Sequence, residues 1–150
     1  MSRFTHTPTI MIVDDTPANL DLLDQMLRAK GYRALTFPRA GLALEAAEET
    51  LPDLILLDTT MPEMDGFETC RRIKNTPRLA EIPVLFMGAP GDTDEKGRAF
   101  AAGGADYVTK PFQEEEILIK VRTYLRMVEM QRELRKREGT ETPRSSGGER

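Results

Sequence analysis

The chain has 150 residues and a mass of 16.9 kDa, about one domain by length. Hydrophobic residues make up 39% and charged residues 31%, which suits a packed domain and argues against wholesale disorder. With 25 acids against 21 bases the formal charge is −4, so no basic excess points to nucleic acid, and the longest aliphatic runs are far too short to span a membrane.

From the amino terminus, residues 1–8 carry no apolar segment and read as a flexible leader without secretory character. A first strand, Ile10 to Val13, ends in Asp14-Asp15. Thr16-Pro17 reads as a helix cap with proline at the first helical position, and Leu20, Leu23 and Leu27 follow at helical spacing until Gly31. A second strand spans Ala34 to Phe37, and Leu42, Ala46 and Glu49 mark a less regular helix. The third strand, Leu54 to Leu57, runs into Asp58-Thr59-Thr60. Asp65-Gly66 reads as a turn and cap before a helix carrying Phe67, Cys70, Arg71 and Ile73-Lys74.

The fourth strand, Val84 to Met87, is followed by Gly88-Ala89, and a helix over Lys96 to Ala102 closes at Gly103-Gly104. A weak fifth strand, Tyr107-Val108, leads to Thr109-Lys110-Pro111. The last helix runs from Glu114 to Glu138, with Ile117, Val121, Leu125 and Val128 on one side and three glutamates at its positive end. Residues 139–150 are rich in Gly, Ser, Thr and charge and read as a disordered tail. The expected division is therefore leader 1–8, folded domain 9–126, helical extension 127–138 and tail 139–150.

Five strands alternating with five helices imply an α/β fold with a parallel sheet, and continuously apolar strands imply helices on both faces. Right-handed crossovers favour the flavodoxin-like, doubly wound order 2-1-3-4-5. In such a sheet, ligands gather beyond the carboxyl ends of the strands. There the chain places Asp14, Asp15 and Asp58 together with Lys110. Each pair of carboxylates about 5 Å apart repels by ~3 kcal/mol at an effective dielectric of ~20, so the cluster must raise its pKa values or hold a cation. The single cysteine, Cys70, and the single histidine, His6, exclude an internal disulfide and a zinc site, and they fit a cytoplasmic setting. Oxygen-only ligands favour Mg²⁺. A carboxylate nucleophile, a hard cation and an ammonium are the parts needed to accept a phosphoryl group.

These residues sit in Ile12-Val13-Asp14-Asp15, Leu56-Leu57-Asp58 with Met61-Pro62-Glu63-Met64-Asp65-Gly66, and Tyr107-Val108-Thr109-Lys110-Pro111-Phe112. Three such motifs in order resemble the receiver domain of bacterial two-component response regulators, over roughly Thr9 to Arg126. The resemblance implies Asp58 as phosphoacceptor from a sensor histidine kinase or phosphotransfer protein. It implies Mg²⁺ held by Asp14, Asp15, Asp58 and the backbone carbonyl of Thr60, with Lys110 on the phosphoryl group and a cis Lys110-Pro111 bond. Tyr107 would be the aromatic that moves on activation. Signalling, and a homodimer, would use the face of the fourth helix, fifth strand and fifth helix.

One position departs from the pattern. The family ends its fourth strand in Ser or Thr, and Gly88 stands there, followed by Ala89. The lost hydrogen bond to a charged group, about 1.5–3 kcal/mol, is comparable with the bias of a modest switch. Switching is therefore expected to be weakened, and Gly88→Thr to enlarge it. The alternative reading is an interaction module insensitive to phosphorylation. A haloacid-dehalogenase-like phosphatase would need an acid two residues after its nucleophile, where this chain has Thr60. The long charged last helix resembles those of receivers joined to cyclic-dinucleotide enzymes or sensor kinases.

Overall fold

A computed structural model describes residues 7–90 and 93–141. The chain alternates β1 (Thr9–Val13), α1 (Pro17–Ala29), β2 (Arg33–Phe37), α2 (Ala40–Thr50), β3 (Leu54–Asp58), α3 (Gly66–Lys74), β4 (Val84–Gly88), α4 (Thr93–Ala101), β5 (Asp106–Thr109) and α5 (Glu114–Glu141). All strand pairs are parallel, in the order β2-β1-β3-β4-β5, as the sequence leads one to expect.

Strand residues alternate between two cores. Met11, Val13, Ile55, Leu57, Val84 and Phe86 face α2, α3 and α4, whose Ala43, Phe67, Cys70, Ile73 and Ala99 meet them. Ile10, Ile12, Leu54, Leu56, Leu85 and Met87 face α1 and α5, which supply Leu23, Leu27, Ile117, Val121 and Leu125. β1, β3 and β4 are buried throughout, so their aliphatic runs satisfy both faces at once. Order reverses between β1 and β3, which opens a crevice at their carboxyl ends.

Several boundaries differ from the sequence reading. The strands reach past their apolar runs because ladder pairing needs only backbone; Arg33 pairs with Thr9. Pro8 is buried and its carbonyl accepts the Arg33 N–H, so the leader is tied to the sheet before residue 9. Residues 1–6 of that leader lie outside the described residues. α4 begins at Thr93, three residues before Lys96. α5 runs through Gly139 to Glu141, where the tail was expected from 139; one glycine costs a helix only about 1 kcal/mol. The remaining tail, 142–150, is also outside the described residues.

Thr16 does occupy the cap position of α1, with Pro17 after it, but its side chain makes no cap bond. The Asp14 carboxylate fixes the chain entering the helix: Oδ1 accepts the Thr16 N–H at 2.9 Å, and Oδ2 accepts from the Asn19 side-chain amide at 3.2 Å. Gly31 (φ 90°) and Gly103 (φ 103°) take the left-handed conformation just past α1 and α4, as their positions predict. The extension of α5 is exposed along 131–138 yet tethered to the domain. Arg132 donates to the buried Asp53 carboxylate at 2.9 Å, and Arg135 pairs with Glu81. Both acids lie just before strands, so these bonds tie the helix to the amino-terminal edge of the sheet.

Candidate functional site

The crevice at the carboxyl ends of β1 and β3 is acidic. Asp14 follows β1 with its side chain fully buried, held by the Thr16 N–H and the Asn19 amide, while its own N–H donates to the Phe37 carbonyl at 3.1 Å. Asp15, next to it, is exposed. Asp58 closes β3 with a side chain only 5% exposed. Carboxylate oxygens of Asp14, Asp15 and Asp58 all lie within 4.8 Å of one another. Lys110, which follows β5, places its Nζ 3.2 Å from Asp14 Oδ2 and 3.1 Å from Asp58 Oδ1. The Lys110-Pro111 bond is cis, as the motif implied.

The electrostatics follow from this crowding. Burial, then the neighbouring Asp14 charge, push the Asp58 carboxyl from 3.8 up to about 6, against the pull of Lys110 and of the Thr60 N–H, which donates to Oδ1 at 3.3 Å. Burial works against the Lys110 ammonium, but the Asp58 and Asp14 carboxylates outweigh it and lift its pKa above the ordinary lysine value. One ammonium between three acids leaves negative charge uncompensated. The donors are all hard oxygens, with no imidazole or thiolate among them, so the cluster fits a small divalent cation such as Mg²⁺. Asp58 is thus a poorly solvated carboxylate whose ionised form is held less well than in water.

Gly66 supports this loop in a way the sequence did not reveal. Its N–H donates to the Thr59 carbonyl at 3.0 Å, and a Cβ there would overlap the Asp58 carbonyl oxygen and lie 2.9 Å from Thr59 Cα. Asp65 is the cap expected from Asp65-Gly66, accepting the Glu68 N–H at 2.9 Å. The same turn carries Glu63 at φ 70°. A glycine next to a good cap residue reads as a turn; only the folded backbone reveals the close approach.

The expected switch residues sit at the end of β4 and on β5. Gly88 is buried, and Ala89 is exposed, its carbonyl accepting the Tyr107 hydroxyl at 3.2 Å. Tyr107 is 5% exposed and so points inward. Its hydroxyl also donates to the carboxylate of Glu95 on α4, a residue absent from the sequence reading. Glu95 lies in a stretch of mixed charge, Asp94-Glu95-Lys96, with no local signal to separate it from solvated acids. The side chain of Cys70 is buried on α3, and burial pushes its thiol up to about 11, consistent with a small apolar packing role.

Comparison with known proteins agrees with this geometry. The family described as response regulator receiver domain matches residues 10–122. The DNA-binding dual master transcriptional regulator RpaA of Synechocystis is 41% identical over 119 residues, covering 79% of this chain and 49% of that protein. The response regulator PleD of Caulobacter vibrioides is 37% identical over 131 residues, covering 87% of this chain and 29% of its own length. The chain thus spans about half of one relative and under a third of the other. A solved signal receiver domain of a histidine kinase from Syntrophus aciditrophicus superposes with a TM-score of 0.76 at 33% identity, covering 81% of this chain and 92% of that one.

Proposed function

Because this chain belongs to the response regulator receiver family, we propose that it accepts a phosphoryl group on Asp58 from a sensor histidine kinase or phosphotransfer protein in a Mg²⁺-dependent reaction. The observation that carries the reading is the meeting of Asp14, Asp15 and Asp58 within 4.8 Å, with Lys110 bonded to both buried acids.

An Asp58 oxygen attacks the phosphorus of a phosphohistidine. The P–N bond breaks, its electron pair stays on the imidazole nitrogen, and an acyl phosphate remains. Asp14, Asp15, Asp58 and the Thr60 carbonyl would hold the cation, which supplies positive charge for the transferring oxygens. Lys110 sits where its ammonium reaches an oxygen on the new phosphoryl group, exchanging one anion for another. Burial of Asp58 keeps water from competing with the phosphodonor. The chain acts on itself as acceptor, and turns over no separate substrate.

The signal would leave through the face of α4, β5 and α5, where Phe100 and Ile119 stand 55% and 51% exposed, and where a homodimer would form. Gly88 offers no hydroxyl to the phosphoryl group, so switching is weakened. A cytoplasmic setting fits a kinase partner, and among the described residues no helix is long and apolar enough to cross a membrane.

Intact mass after treatment with acetyl phosphate and Mg²⁺ tests the reading. The wild-type chain should gain one phosphoryl group, a gain that chelating the metal beforehand prevents, and Asp58→Asn should gain none. Equal labelling of Asp58→Asn would contradict it.

A further inference from the structure

Gly88 does more than lack a hydroxyl. A Cβ built on it would fall on the Tyr107 hydroxyl, 2.5 Å from Glu95 Oε1 and 2.9 Å from Thr59 Oγ1. Three side chains from three different segments therefore converge on the space that any other residue at position 88 would fill. The strand itself is ordinary: Gly88 pairs with Thr109 in the β4–β5 ladder, its carbonyl accepts the Lys110 N–H at 2.8 Å, and its φ lies outside the left-handed region. Backbone conformation does not call for glycine here; side-chain space does.

We propose that Gly88 admits a latch in which the Glu95 carboxylate accepts a hydrogen bond from the Tyr107 phenol, fixing Tyr107 inward and tying α4 to β5 before any phosphoryl group reaches Asp58. Among the described residues the phenol's hydrogen bonds go to the Ala89 carbonyl, at 3.2 Å, and to the Glu95 carboxylate, and only the second is ionised. A hydrogen bond to an ionised acceptor is the stronger kind. A second contact from the same turn of α4 adds to it, the Lys96 ammonium lying 5.6 Å from the centre of the Tyr107 ring. None of these contacts involves Asp58, Lys110 or the acidic cluster.

The latch refines the reading of Gly88 under the proposed function. Weak coupling then has a structural cause beyond a missing donor: the inward state of Tyr107 is already occupied, so phosphorylation has little left to shift. Glu95 and Gly88 are positioning residues, acting through Tyr107.

Fluorine NMR of the full chain labelled with fluorotyrosine tests this on the unphosphorylated protein. Its three tyrosines are Tyr32, Tyr107 and Tyr124, and Tyr107→Phe assigns the signal. Tyr107 should give a single buried resonance, unchanged by Asp58→Asn. Gly88→Ala and Gly88→Thr should move it to a solvent-exposed position, because the crowded atoms are the ends of flexible side chains that can swing away. Glu95→Ala should do the same, and Glu95→Gln, whose amide oxygen still accepts the phenol proton, should retain the buried signal. Unmoved Tyr32 and Tyr124 resonances report that the fold is intact.

A buried Tyr107 resonance that survives Gly88→Thr or Glu95→Ala would overturn the latch. So would a wild-type Tyr107 signal that moves when mass spectrometry shows Asp58 phosphorylated. A chain that gains no phosphoryl mass contradicts the acceptor reading instead, and the latch is then decided by the variants of the unmodified protein.

Discussion

At the scale of single residues, Asp58 carries the tension of the site. Its carboxyl is raised from 3.8 to about 6 when folded, first by burial and then by Asp14. A raised acid favours folding most when protonated, so its contribution is complete below pH 4 and is lost as pH rises through 6. In metal-free buffer, chemical denaturation of the chain against Asp58→Asn should show this carboxyl's contribution falling over that window by on the order of 1–2 kcal/mol, less than the full shift because solvent still screens the group. Asp58→Asn should remove most of the decline and be the more stable chain at pH 8. Gly66 gives a second residue-scale prediction. Any Cβ there meets backbone on both sides, Asp58 and Thr59, and backbone cannot swing aside. Gly66→Ala should cost about 2–3 kcal/mol in denaturation and slow labelling of Asp58. The acids of this site were legible as sequence because each follows an apolar strand. Glu95 and Gly66 were not, because their roles exist only across segments that the fold brings together.

At the scale of elements, the strands and the two-sided sheet were legible from runs such as Leu54 to Leu57, which leave no polar face. The ends were less so. Thr16 is the right residue type for a cap, yet its side chain makes no cap bond; the buried Asp14 carboxylate instead holds the Thr16 N–H and the Asn19 side chain. By sequence the extension of α5 suits a signalling helix or one side of a weak dimer, with a solvated tail as the alternative, since Arg132 and Arg135 fall where a coiled-coil seam would need apolar residues. Their partners, Asp53 and Glu81, are 79 and 54 residues away, a separation no local pattern encodes. Arg132 is half exposed while Asp53 is buried, so the cost falls on the acid. Arg132→Ala should destabilise by about 1–2 kcal/mol and speed amide exchange beyond Val128, with labelling of Asp58 unchanged. Protection that persists in this variant would show that the helix end stands without the anchor.

At the scale of the molecule, two edges of one sheet do different work. The carboxyl edge gathers the acids and Lys110, and the amino edge holds the tail of α5 through Asp53 and Glu81. Between them lies β4, buried along its length and ending in the glycine that frames the Tyr107 contact. The chain covers only part of the length of its relatives. The account stands on where the phosphoryl group goes. Borohydride reduction of the chain after treatment with acetyl phosphate and Mg²⁺ converts an aspartyl phosphate to homoserine, and peptide mass mapping then locates it. Homoserine at position 58 alone is the predicted result; homoserine at position 14 or 15, or at none of the three, would contradict it.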